Sequence, residues 1–136
     1  MGVALITPFK EDESVDYDAL MRIVDYLIQN NADFLCVLGT TAETPTLTEE
    51  EKKKIKRMVI ERVNGRVPIL LGVGGNNTRA IVDTLKHDDF TGVDAILSVV
   101  PYYNKLRKRA STSTTKPLPK PQSYPSYSTT CRVVQA

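Results

Sequence analysis

Two short loops hold the side chains best equipped for chemistry. Gly39-Thr40-Thr41-Ala42-Glu43 follows one apolar run, and Pro101-Tyr102-Tyr103-Asn104 follows another. A Gly-Thr-Thr turn offers backbone N–H groups beside two hydroxyls, a combination suited to a small carboxylate. Paired tyrosines offer phenolic groups able to relay a proton. Spacing alone leaves turn and packing roles open for both loops. Other candidates are weaker. Cys36 and Cys131 form neither a disulfide framework nor a zinc-ligand pattern, and His87 is the single histidine, so no metal or other cofactor is implied. Cys36 reads as a small buried strand residue, with no histidine placed to activate it. Gly72-Val73-Gly74-Gly75 lacks the full phosphate-loop pattern.

The elements that must position these loops are legible from periodicity. Gly2 to Thr7 is a short apolar run closed by Pro8, which suits a buried strand. Leu20, Ile23, Val24, Leu27 and Ile28 then mark one face of a helix from about Tyr17 to Gln29, ended by Asn30-Asn31. Phe34 to Leu38 gives a second strand. Thr48 and Glu51 predict a capping box, with three glutamates at the positive end of a helix that buries Ile55, Met58 and Val59. That helix runs to about Val63, where Asn64-Gly65 stops it, and Glu50 and Lys54 are spaced for an i,i+4 pair along it. Val67 to Val73 gives a third strand. Asn77 or Thr78 caps a third helix that buries Ile81 and Leu85, and Ala95 to Val100 gives a fourth strand.

The order is β-α-β-α-β-α-β with short connections. Strands apolar on both faces, each followed by a helix, imply a parallel α/β sheet. Right-handed crossovers leave a doubly wound sheet or part of a (β/α)8 barrel. In both, chemistry belongs in the loops that follow the strands, where the Thr-Thr and Tyr-Tyr pairs stand.

Composition changes sharply after Lys105. All 16 acidic residues lie before that point with 12 of the 18 basic ones, giving −4, although the whole 136-residue chain carries +2. Residues 106–136 hold six basic residues, no acid, ten Ser or Thr, and four prolines. So few apolar side chains cannot offset the entropy of ordering the backbone, and Pro117, Pro119 and Pro121 favour an extended path. We expect residues 1–105 to form the folded unit and residues 106–136 a disordered basic tail. No apolar run has the roughly 18–20 residues of a membrane helix, and no signal peptide is evident. The expectation is therefore a cytoplasmic protein without a membrane or nucleic-acid partner.

The loops and their order resemble the dihydrodipicolinate synthase and N-acetylneuraminate lyase family of pyruvate-dependent class I aldolases. The matching pieces are Gly2-Val3-Ala4-Leu5-Ile6-Thr7-Pro8-Phe9, Gly39-Thr40-Thr41-Ala42-Glu43, Pro68 to Gly74, and Pro101-Tyr102-Tyr103-Asn104-Lys105. The double threonine and Pro-Tyr-Tyr-Asn resemble the dihydrodipicolinate synthases more than the sialic acid lyases, and Ala42 stands where the family more often has glycine. The resemblance implies the N-terminal part of a (β/α)8 TIM barrel: three βα units and strand four, followed by the tail.

It also implies a Schiff-base condensation of pyruvate with aspartate semialdehyde in lysine biosynthesis, carried out by a homotetramer. By that resemblance Thr41 holds the pyruvate carboxylate, and Thr40 and Tyr103 belong to a proton relay in which Tyr103 reaches a neighbouring subunit. Asn76 and Tyr102 fall where lysine-inhibited members bind the inhibitor, although Glu49 and Ala80 depart from the best-known inhibited enzymes. The family's remaining relay tyrosine, its substrate arginine and its Schiff-base lysine have no counterpart here, so the expected chain is catalytically incomplete. A related N-acetylneuraminate lyase type, or a non-catalytic partial barrel with a basic interaction tail, is the alternative.

The tail has a reading of its own. One set of allowed codons for Leu106 to Thr115, read one base earlier, spells P-S-Q-E-G-I-Y-Q-H-Y. One set for Tyr127 to Ala136, read likewise, spells V-L-Y-N-V-P-G-R-T-G. Both resemble the family's continuation after Pro-Tyr-Tyr-Asn, and the second carries the missing tyrosine and arginine. The expectation is a frameshift after the codon for Lys105.

Overall fold

The computed structural model describes residues 1–99 and 131–135. In chain order the elements are β1 (Gly2–Ala4), α1 (Tyr17–Gln29), β2 (Phe34–Val37), α2 (Glu49–Val63), β3 (Ile69–Gly72), α3 (Thr78–His87), β4 (Ala95–Val99) and β5 (Cys131–Gln135). The helices begin where side-chain caps satisfy their first N–H groups. The Asp16 carboxylate accepts from the Ala19 N–H at 2.8 Å. Thr48 and Glu51 form the expected reciprocal box on α2. Asn77, rather than Thr78, caps α3 by accepting from the N–H groups of Arg79 and Ala80. At the other end of α2, Asn64 (φ 45°) and Gly65 (φ 71°) turn the chain left-handed and stop the helix.

The strands are shorter than their apolar runs, because a ladder also needs a facing partner. β1 closes at Ala4, yet the Leu5 N–H still donates to the Cys36 carbonyl at 2.9 Å. Strands β1 to β4 are all parallel and lie side by side in chain order. A doubly wound sheet reverses direction after its first crossovers; this one keeps going the same way. Right-handed crossovers that advance in one direction put every helix on the same face, which is the progression of a (β/α)8 barrel wall.

That face carries the core. Leu5, Leu35, Val37, Ile69 and Leu71 are buried with Leu20 and Val24 of α1 and Ile55, Val59 and Val63 of α2 in one cluster. Met58, Ile81 and Leu85, expected inside, are only half-buried. The register sets Ala4, Cys36, Leu70 and Ala95 in a row across the opposite face. This inner face is also apolar but less covered: Ile6 is 51% exposed and Phe34 39%, and Leu70, Leu97 and Val99 are half-buried.

Of the tail, only residues 131–135 are described, and they run antiparallel along β4, from Ala95 opposite Gln135 to Val99 opposite Cys131. The expectation of a tail outside any ladder does not extend to these five residues. The N–H and C=O groups along the β4 edge offer a ladder that composition does not reveal, and Val133-Val134 is a β-branched pair suited to take it.

Candidate functional site

The chain leaving β2 turns abruptly at Leu38, a left-handed residue (φ 54°), and enters two successive 3-10 turns, Thr40–Ala42 and Thr44–Thr46. Glu43 between them is also left-handed (φ 53°). Backbone strain of this kind, of order 1 kcal/mol or more per residue, persists only where surrounding bonds over-determine it. Those bonds are present. The Thr44 hydroxyl lies 2.7 Å from the Gly39 carbonyl and 3.2 Å from that of Leu38, able to donate to either. From the segment that follows β1, the buried Thr7 hydroxyl donates to the Ala42 carbonyl at 2.8 Å. Gly72 of β3 allows the same turn: a Cβ there would lie 2.0 Å from the Leu38 carbonyl oxygen.

The result is a loop pinned from the segment after β1, from β3 and from its own second turn, with Thr40 and Thr41 exposed at its tip. Among the described residues, no group accepts from their backbone N–H groups, the open donors of a helical turn's first residues. Two such N–H groups and two hydroxyls together suit a carboxylate. Ala42 sits in its turn without a left-handed φ and is buried, so the methyl group fits the loop.

Asn76 stands apart from that pair. It lines a cleft of about 500 Å³ between α2 and α3, with Pro45, Glu49, Lys52 and Ala80, whereas Thr40 and Thr41 do not line it. Two of the three lysines that line the cleft are engaged. Lys52 pairs with Glu49 at 2.8 Å, and Lys56 pairs with Asp88 at 3.2 Å while donating to the Asp89 carbonyl at 2.9 Å. Tyr102 and Tyr103 lie outside the described residues. Cys36 is buried, as its strand position predicted, and His87 is exposed. Lys54 does not reach Glu50; its ammonium sits 3.8 Å from the centre of the Tyr17 ring, a cation–π contact.

Thr7, Leu38, Thr44 and Gly72 are the site residues the sequence reading missed. Thr44 before Pro45 was the available signal, since a Ser or Thr at a turn often bonds a nearby backbone group. Among the described residues there is no cluster of metal-ligating side chains, and no helix is long and apolar enough to cross a membrane.

Known proteins share the sequence and fold of this chain. The 4-hydroxy-tetrahydrodipicolinate synthase of Phocaeicola vulgatus is 79% identical over 105 residues, which cover 77% of this chain and 35% of that protein. The chain thus spans about a third of the length of the curated relatives it matches. The crystal structure of dihydrodipicolinate synthase from Aquifex aeolicus superposes with a TM-score of 0.75 at 40% identity, covering 88% of this chain and 42% of that one. An E. coli prophage protein of the same family, YagE, solved in complex with pyruvate, superposes with a TM-score of 0.75 at 32% identity over 85% of this chain and 39% of its own. The model of the dihydrodipicolinate synthetase family matches residues 1–116, and in keeping with the strand order this establishes that the chain belongs to that family.

Proposed function

We propose that residues 1–105 supply the carboxylate-binding loop and part of the proton relay of a 4-hydroxy-tetrahydrodipicolinate synthase, which condenses pyruvate with aspartate semialdehyde. The carrying observation is the exposed Thr40-Thr41 tip, with open backbone N–H groups, held at the C-terminal end of β2 by Thr7 and Thr44. Thr41 takes the pyruvate carboxylate through its N–H and hydroxyl. Thr40 passes a proton along a chain of hydroxyls that Tyr103 continues. The pyruvate bound to the E. coli relative supports this substrate class. Asn76, on the α2–α3 cleft, and Tyr102 belong to a separate regulatory position.

A Schiff base needs a lysine inside the barrel, on the concave side of the strands. Five of the six described lysines, Lys52, Lys53, Lys54, Lys56 and Lys86, sit on helices, and Lys10 sits in the β1–α1 connection. The inner face of β1 to β4 carries apolar residues instead. Among the described residues no lysine stands on that face, so the reading places the Schiff-base lysine outside them, and no pyruvyl adduct is expected on this chain. We read residues 106–136 as an out-of-frame translation of the segment that would lead there. The nucleotide sequence beyond Pro101 tests that reading, and a coding sequence that reaches the family segment without an indel would refute it.

A chimera tests the assignment itself: residues 1–105 of this chain followed by the remainder of the Phocaeicola vulgatus relative. It is expected to condense pyruvate with aspartate semialdehyde. A folded chimera without that activity would overturn the assignment.

A further inference from the structure

Strand β4 reads Ala95-Ile96-Leu97-Ser98-Val99, with neither a charge nor a proline. One of its sides is taken by β3, which it joins in parallel. The other would present the free N–H and C=O groups of an uncharged strand, and such an edge is a template for any further strand. Sheet edges are ordinarily blunted by charged side chains, prolines, bulges or short length. β4 has none of these, and the ladder on that side runs residue for residue along the whole strand without a bulge. At the opposite edge β1 has three residues, so length alone blunts it.

What fills the β4 edge is a segment of the same chain. Cys131–Gln135 pairs antiparallel with every residue of β4, with Leu97 opposite Val133 at the centre. The outermost strand is then β5, and it carries Arg132, a charge of the kind β4 lacks. The direction of the ladder also says what the edge would take in place of β5. It accepts an antiparallel partner, and two identical strands pair antiparallel about a two-fold axis, so β4 of a second copy fits it. With the axis at the middle of the strand, Leu97 would face its own equivalent.

We propose that β5 is an edge cap, which keeps the chain from pairing with a second copy of itself through β4. The tethered strand reaches the edge at an effective concentration that dilution does not change, whereas a second copy reaches it only at its own concentration. The device follows from the ladder alone. It depends neither on the chemistry assigned to Thr40 and Thr41 nor on the origin of the tail.

The test compares the full chain with a chain ending at Thr130 and with V133P/V134P, by sedimentation velocity over a series of concentrations. Of two neighbouring residues in an antiparallel ladder one donates to the partner strand, so the double proline removes a bond without shortening the chain. The full chain is expected to sediment as a monomer, and both variants to dimerise about tenfold or more tightly than it does. In the truncated chain Leu97→Lys should abolish the dimer, because two-fold pairing would set two ammonium groups face to face. Ile6→Asp, at an exposed position away from the β4 edge, should leave that dimer intact. Variants that stay monomeric with the far-ultraviolet dichroism of the full chain would overturn the cap, as would a full chain that associates as tightly as they do. A dimer that survives Leu97→Lys, or one lost in Ile6→Asp, would overturn it too. Amide exchange in the full chain reads the cap without any variant. The amides of Ile96, Leu97 and Ser98 should all be protected, and free exchange at alternate positions would show an open edge.

Discussion

Thr7 occupies the end of an apolar run where valine would satisfy the pattern, and its hydroxyl is the reason it does not. Replacing it by valine leaves the buried Ala42 carbonyl without its donor, and an unsatisfied buried group of this kind costs about 1–3 kcal/mol. Thr7→Val should lower the urea midpoint of unfolding accordingly. Equal midpoints would show that the loop does not depend on this bond. At the tip the effects are on chemistry. In the chimera, Thr41→Val should raise KM for pyruvate with little change in kcat, and Thr40→Val should lower kcat by roughly 10²-fold, as for loss of a proton-relay group. The two threonines stand out in the sequence because their types and their place after a strand suit a carboxylate. Thr7 and Thr44 were not: a hydroxyl's partner is a carbonyl whose position only the folded loop defines.

Helix limits were readable because capping is local chemistry. α1 spans the residues its apolar spacing marks, and α2 starts and stops at its predicted signals. Thr48→Ala removes the hydroxyl half of the capping box, leaving the backbone N–H of residue 48 to donate to Glu51, and should cost about 1 kcal/mol in unfolding free energy. The ties between helices were less legible, since they join residues far apart in sequence. Asp25 of α1 accepts from Arg62 at 2.8 Å and from Arg66 at 3.1 Å, and these bonds hold its carboxyl below the usual range. Glu51 is lowered likewise by the Thr48 backbone N–H and hydroxyl. A carboxyl lowered in the folded state stabilises it fully above its unfolded pKa, near pH 4, and loses that contribution as pH falls through the lowered value. Thermal stability should therefore decline below about pH 4. Asp25→Asn should be less stable at neutral pH and show a shallower decline in acid. A decline of equal steepness in the variant would place the acid sensitivity elsewhere.

For the molecule as a whole, the alternation of strands and helices predicted a parallel sheet but could not choose between the two ways of winding it. Hydrophobic patterns report burial, not which strand lies beside which. The in-order sheet decides for a barrel wall, with its helices outside and its apolar inner face open. Composition likewise could not reveal β5, whose existence depends on the edge that β4 presents. At this scale the proposed function is a division of labour: residues 1–105 would bind and relay, and the covalent step would fall to a lysine outside them. Borohydride reduction in the presence of pyruvate, followed by peptide mass spectrometry, tests this most directly when run on this chain and on the chimera together. We expect no adduct on the chain and a single pyruvyl-lysine in the chimera, outside residues 1–105. A reduced adduct on any lysine of this chain, or within residues 1–105 of the chimera, would contradict it.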